Sequence, residues 1–170
     1  MLPIVLNPGV PKVAVAGTGE GLRRRLALLL DSSVTPAVVF EGHVPQGDEL
    51  DGIQLFFVAG FDEQLSSALA KLARAKGALV NVEDQPSLCD FHVPAAVRRG
   101  GLLLTASTGG RAPGLSRLLR EELERRFGAE WEGRLAELAR QRSAWRADGM
   151  GPAKVSELTR GFVQSKGWLS

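Results

Sequence analysis

Short runs of apolar residues alternate with amphipathic stretches along the first half of the chain. Leucines at helical spacing predict helices around residues 22–30 and over residues 63–75. The apolar runs predict buried strands at residues 12–16, 36–41, 53–59 and 78–82. Continuous apolar strands that alternate with helices are typical of a parallel sheet covered on both faces. The pattern therefore predicts an α/β fold built on a Rossmann-like parallel sheet.

The pattern changes in the second half. Two more strands are predicted at residues 91–97 and 102–106, separated by a pair of glycines. From Pro113 onward the apolar residues keep helical spacing, and a glycine- and proline-containing break at residues 149–152 precedes a last helix. The sequence thus predicts an α/β half that ends near residue 105, followed by a strand-and-helix tail.

Composition and charge narrow the functional classes. The chain has 170 residues, 44% hydrophobic and 24% charged, as in ordinary soluble globular proteins. We expect no membrane span and no secretory leader, which leaves a cytoplasmic location as the default. The net charge is only +2, but arginines cluster at residues 23–25 and recur over residues 98–146. No aromatic platform for stacking bases is interleaved with them, so we predict no nucleic-acid partner. Solvated helix faces and an acidic small-molecule partner both explain these arginines.

The first predicted strand and helix are joined by a glycine loop. In such a loop the backbone N–H groups approach a pyrophosphate, whose charge the helix N-terminus also favours. Glu41 ends the second predicted strand, where a carboxylate accepts hydrogen bonds from a ribose 2′-OH and repels a 2′-phosphate. This arrangement favours NAD over NADP; an unliganded tight turn is the alternative. The loop consists of Gly17, Thr18, Gly19, Glu20 and Gly21.

Two later segments are candidates for binding or catalysis. Asp84 follows the fourth predicted strand, and ligands of open α/β sheets bind beyond the carboxyl ends of the strands. The alternative for Asp84 is an Asx-type turn residue before Pro86. The segment Ser107–Gly114 leads into the helix that starts at Pro113 and offers backbone donors for an anion; a plain loop is its alternative. Cys89 has no evident His partner, which favours a small buried side chain over a nucleophile.

Three stretches of the chain resemble the precorrin-2 dehydrogenase and sirohydrochlorin ferrochelatase family, the N-terminal module of siroheme synthase. The lead-in Leu2–Leu6 is similar to the start of that family. The segment from Asn81 to Ala95 is similar to its central motif. Ser107 to Glu121, with Pro113, is similar to its interdomain motif and helix. These similarities follow one another in the same order over almost the whole chain.

The resemblance implies a homodimer that oxidises precorrin-2 to sirohydrochlorin with NAD; some members also insert iron. It implies an NAD-binding domain over residues 1–105, a dimerisation segment over 106–130 and a small helical region over 131–170. Both reactions centre on one aspartate, which matches Asp84. Tetrapyrrole carboxylates would be held by the loop after residue 106 and by arginines such as Arg98, Arg99, Arg111 and Arg117. The alternative is a non-catalytic relative that binds NAD or a tetrapyrrole.

The candidate site residues follow from both lines of argument. We predict no metal ligands. The predicted cofactor residues are Gly17, Thr18, Gly19, Glu20, Gly21, Glu41, Gly42, Ala59, Gly60 and Asn81. The predicted substrate residues are Ser107, Thr108, Gly109, Gly110 and Arg111. The chain departs from the family pattern at Leu22, Gly60, Phe61, Arg98 and Ala112. Leu22 replaces a small residue, so we expect either a displaced helix or a loop shifted by one residue.

Overall fold

A computed structural model describes residues 1–169 of the chain, which form two compact units. The first unit comprises Met1–Val93, and the second begins at Pro94. The predicted boundary near residue 105 therefore falls later than this division. The difference arises because residues 95–106 pair with each other instead of joining the sheet of the first unit.

The first unit is a four-stranded parallel sheet with the order β2-β1-β3-β4. Its elements are β1 (Val13–Gly17), α1 (Gly19–Asp31), β2 (Val38–Glu41), β3 (Leu55–Ala59), α2 (Glu63–Ala75) and β4 (Leu79–Val82), followed by a short 3₁₀ helix (Pro86–Leu88). The predicted α/β class and parallel sheet are confirmed. Each strand begins slightly later than the apolar run that predicted it.

The core lies on both faces of this sheet because successive side chains of a strand point to opposite sides. On one face, Phe56 and Val58 pack with Leu69 of α2. On the other face, Val15 and Phe57 pack with leucines of α1, including Leu22. Leu22 is only 2% exposed, so its side chain is part of the core that anchors α1 to the sheet.

The outer edge of β4 is covered by the segment that follows it. The Asp90 carboxylate accepts a hydrogen bond from the Val80 N–H at 2.8 Å, and its backbone N–H donates to the Val80 carbonyl. The Cys89 sulfur accepts from the Val82 N–H at 3.2 Å. Arg74 of α2 donates to both oxygens of Asp90. These contacts satisfy the edge that a further strand would otherwise occupy, and they give Cys89 a structural role.

The second unit contains a hairpin and three helices. The antiparallel strands β5 (Ala95–Arg99) and β6 (Leu102–Ala106) precede α3 (Pro113–Arg126), α4 (Glu130–Ala147) and α5 (Pro152–Ser165). β5 starts later than predicted, because Phe91 packs edge-on against Phe57 in the first unit. The sequence analysis also missed the break between α3 and α4. There the Phe127 N–H donates to the Leu123 carbonyl and closes α3 just before Gly128.

Candidate functional site

Three predicted cofactor residues lie in one row at the carboxyl edge of the sheet. Gly17, the last residue of β1, is in register with Glu41 of β2 on one side and with Ala59 of β3 on the other. The Gly42 N–H donates to the Gly17 carbonyl at 3.0 Å, and the Thr18 N–H donates to the Ala59 carbonyl at 3.1 Å. The chain leaves β1 for β2 on one side and returns to β3 on the other, so this row is a topological switch point, where such sheets bind ligands.

Close packing explains why glycines occupy this edge. A β-carbon at Gly17 would lie 2.6 Å from the Ala59 carbonyl oxygen. A β-carbon at Gly21 would lie 2.6 Å from Glu83 Oε2 and 2.9 Å from the Gly60 nitrogen. Gly21 therefore allows the close packing of α1 on the sheet that the dinucleotide-binding pattern Gly-x-Gly-x-x-Gly assigns to the next residue, Leu22. Of the two consequences expected of Leu22, the structure favours the loop shifted by one residue.

The start of α1 has the features of a phosphate-binding turn. Gly19 has a φ of +55°, and no atom lies within 4 Å of the position that its β-carbon would take. The Thr18 hydroxyl makes no capping hydrogen bond to α1 and donates instead to the Gly60 carbonyl at 2.7 Å. The first N–H groups of the helix thus lack a side-chain acceptor, and an anion would satisfy them. Glu20 points away into an exposed ion pair with Arg23.

Asp84 lies in the turn that follows β4 and has a free carboxylate. The last backbone hydrogen bond to β3 is donated by the Glu83 N–H to the Val58 carbonyl at 2.9 Å. The turn is then closed by the Gln85 N–H, which donates to the Val82 carbonyl. Asp84 has a φ of +57°, a conformation that few residues other than glycine adopt. Its exposed side chain makes no hydrogen bond or ion pair within residues 1–169. The Asx-turn alternative therefore receives no support, because the carboxylate takes no part in the turn.

The residue before Asp84 ties this turn to α1. Both oxygens of Glu83 accept from Arg24, at 3.2 Å from Nε and 3.1 Å from Nη2. The Glu83 side chain is only 16% exposed, and its carboxylate raises the pKa of Arg24. This pair was not predictable from the sequence, because only the packing of α1 on the sheet brings the arginine cluster beside the end of β4.

Asn81 lies within β4 below this edge. It is 5% exposed, and its Nδ2 donates to the Phe91 carbonyl at 2.9 Å, which helps to hold the segment after the 3₁₀ helix. Its Oδ1 is buried without a partner among the described residues. The structure thus gives Asn81 a structural role, and its predicted contact with the cofactor stays a prediction.

The five predicted substrate residues form one loop in the second unit. The Thr108 hydroxyl accepts from the Ala112 N–H at 3.2 Å and lies 3.0 Å from the Ser116 hydroxyl. The Ser107 hydroxyl accepts from the Gly109 N–H. These local hydrogen bonds shape the turn into α3. The N-cap residue of that helix is Ala112, which makes no side-chain capping hydrogen bond. Arg111 is exposed, and its side chain makes no hydrogen bond within the described part of the chain.

Two further properties concern only residues 1–169. No group of three or more His, Cys, Asp or Glu side chains is placed there to hold a metal ion. None of the helices in this range has the length and apolar character needed to cross a membrane.

Comparisons with known proteins identify the family of the chain. A match to the family described as "Putative NAD(P)-binding" covers residues 4–95, more than half of the chain. The chain is 33% identical over 156 residues to the siroheme synthase of Methylococcus capsulatus, covering 81% of this chain and 33% of that protein. It is 37% identical over 158 residues to the siroheme synthase of Azotobacter vinelandii, covering 82% of this chain and 34% of that protein.

The chain therefore spans about a third of the length of these relatives. The fold is similar to that of a solved structure named SirC, precorrin-2 dehydrogenase, with a TM-score of 0.76. The two are 21% identical, and the match covers 100% of this chain and 93% of that one. The resemblance found in the sequence is thus confirmed, and the chain belongs to the NAD(P)-binding family with siroheme synthases among its relatives.

Proposed function

We propose that the protein uses NAD to dehydrogenate precorrin-2 to sirohydrochlorin. The observation that carries this proposal is the free carboxylate of Asp84, held by a backbone turn at the same sheet edge as the uncapped start of α1. The similarity to siroheme synthases and the name of the SirC structure supply the substrate. A cytoplasmic location remains a prediction from the sequence.

The reaction removes a hydride and a proton from the tetrapyrrole. NAD, when bound, supplies the hydride acceptor, and a base must take the proton. Asp84 suits that role, because its carboxylate is exposed and engaged by no other side chain. Glu83 is less suitable, since both of its oxygens already accept from Arg24. The Gly17–Gly21 loop would hold the pyrophosphate through backbone N–H groups.

Anaerobic turnover tests this function. We expect purified protein with precorrin-2 and NAD to form sirohydrochlorin, followed by its absorbance, and ferrous iron added afterwards reports on siroheme formation. A thermal shift with NAD but no turnover would instead support the non-catalytic alternative. If the protein shows neither a thermal shift with NAD nor turnover, the proposal is contradicted.

Glu41 is proposed to select NAD over NADP. It is exposed at the end of β2, directly beside Gly17, where a ribose would lie next to the pyrophosphate loop. Hydrogen bonds to a charged group contribute about 1.5–3 kcal/mol. We therefore expect Glu41→Ala to weaken NAD binding by roughly tenfold to a hundredfold and to strengthen NADP binding, as measured by calorimetric titration.

Asp48→Ala is the matched control for Glu41→Ala, because it removes the same charge from an exposed position of the loop that follows β2. Its affinity for both dinucleotides should stay close to that of the wild type. An unchanged NAD affinity in Glu41→Ala would show that Glu41 does not bind the ribose.

We also propose a homodimer that forms through α3. Within the described residues of the second unit, the buried apolar side chains are only Val97 and Val155. A unit of this size needs more apolar burial than that. Leu115, Leu118 and Leu119 lie on one stripe of α3 and are 49%, 63% and 41% exposed. A second copy presents the same stripe, so a symmetric contact buries both.

Leu118→Glu should convert the dimer to monomers, because it places a carboxylate in the centre of that stripe. Sedimentation equilibrium measures the mass. Leu30→Glu, at an exposed leucine of α1, is the control and should stay dimeric. A wild-type protein that sediments as a single chain at micromolar concentration would contradict the proposal.

A further inference from the structure

Three consecutive arginines of α1 differ in their partners. Arg23 is exposed and pairs with Glu20 at 2.9 Å. Arg24 pairs with Glu83. Arg25 is half-buried and makes no hydrogen bond or ion pair within the described residues, and its Nε is buried without a partner. Arg25 therefore differs from its two neighbours, each of which has an ion-pair partner.

The position of Arg25 is energetically costly without an anion. Its guanidinium carbon lies 5.2 Å from the centre of the Phe57 ring, and that ring is only 3% exposed. Removal from water lowers the pKa of Arg25, while the nearby carboxylates of Glu83 and Asp84 raise it. A cation–π contact offsets part of the cost of burying a charge, but a contacting anion offsets far more.

Neither nearby carboxylate serves as that anion. Glu83 uses both oxygens for Arg24, and Asp84 makes no hydrogen bond or ion pair within the described residues. Arg25 therefore keeps a planar set of donors beside the proposed catalytic carboxylate, in a partly apolar setting where ionic hydrogen bonds are strong. A carboxylate carried by a largely apolar molecule suits the guanidinium in this setting, because such a molecule brings its own charge and little competing water.

We propose that Arg25 is a subsite for one acidic side chain of the tetrapyrrole, and that it positions the macrocycle beside Asp84. This inference rests on the proposed function, because that function supplies a substrate with acetate and propionate side chains. It assigns substrate recognition to the first unit, in addition to the predicted loop at residues 107–111. The exposed arginines of the second unit are not required for this contact.

Binding of uroporphyrin, a soluble porphyrin with acetate and propionate side chains, tests the subsite by fluorescence titration. Arg25→Gln should raise the dissociation constant by about tenfold to a hundredfold, the range for a lost ionic hydrogen bond. Arg25→Lys should recover part of the affinity, because it keeps the charge but not the planar donors. Arg23→Gln, on the same helix, should bind like the wild type.

Two further readouts separate this role from a structural one. The melting temperature of Arg25→Gln should be no lower than that of the wild type, because the variant removes an unpaired, half-buried charge. In turnover with precorrin-2, the variant should raise KM and change kcat far less. Equal porphyrin affinity in the wild type and Arg25→Gln would overturn the subsite alone. Failure of the wild type to bind uroporphyrin would count against the proposed function and remove the basis of the subsite.

Discussion

Asp84→Asn should lower kcat for sirohydrochlorin formation by about 10²–10⁴-fold, the usual contribution of a general base. Asparagine is nearly the same size as aspartate and tolerates a positive φ, so the turn with its φ of +57° should persist. What is lost is the ability to take the proton. The measurement is the anaerobic steady-state rate at saturating NAD and precorrin-2.

Two comparisons make the Asp84→Asn result specific. The affinity of the variant for NAD should stay within a few-fold of the wild type, because no part of the glycine loop changes. Asp48→Asn, at an exposed site in the loop after β2, should keep the wild-type rate. A kcat for Asp84→Asn within threefold of the wild type would assign proton removal to another group.

Gly60→Ala should produce the largest loss of stability among single substitutions at this edge. Gly60 has a φ of +75°, and a β-carbon there would overlap the carbonyl oxygen of Thr18. The cost combines the left-handed conformation, roughly 1–2 kcal/mol, with forced displacement of a packed backbone, about 1–3 kcal/mol. We expect the free energy of unfolding to fall by about 2–5 kcal/mol in urea denaturation, and NAD binding to weaken as the loop shifts.

Gly52→Ala measures the conformational part of that effect alone, so the difference between the two variants gives the steric part. Gly52 has a φ of +74°, but no atom lies within 4 Å of its β-carbon position. It should therefore lose only the conformational cost, about 1–2 kcal/mol, and keep its affinity for NAD. Equal destabilisation by the two substitutions would show that Thr18 yields readily and that the edge is less tightly packed than described.

The sequence predicted those features that depend on local pattern. Alternating apolar runs and amphipathic stretches predicted the parallel sheet. A strand that is buried on both faces is a continuous apolar run whatever its place in the sheet. The glycine loop and Glu41 were assigned to one dinucleotide from their places at the ends of the first two strands, and in the sheet Gly17 is in register with Glu41. Asp84 follows β4 as predicted, but its positive φ and free carboxylate depend on the turn around it.

Features that arise from contacts distant in sequence were not predictable. Arg24 and Glu83 are 59 positions apart in the sequence, and only the packing of α1 shows that one arginine is paired and the next is not. The role of Gly21 depends on how closely Gly60 approaches it. The break between α3 and α4 was not predicted, because the helical spacing of apolar residues continues past Gly128. The helical backbone itself is interrupted there.

We propose that this sheet edge joins a dinucleotide site to a base that acts on a tetrapyrrole. The test is a single-turnover experiment, in which equimolar protein, NAD and precorrin-2 are mixed anaerobically and NADH and sirohydrochlorin are followed together. We predict that the two products appear at the same rate and in equal amounts, and that Asp84→Asn slows both. Sirohydrochlorin that forms without NADH, or no reaction while NAD and the tetrapyrrole are both bound, would contradict this assignment of the sheet edge.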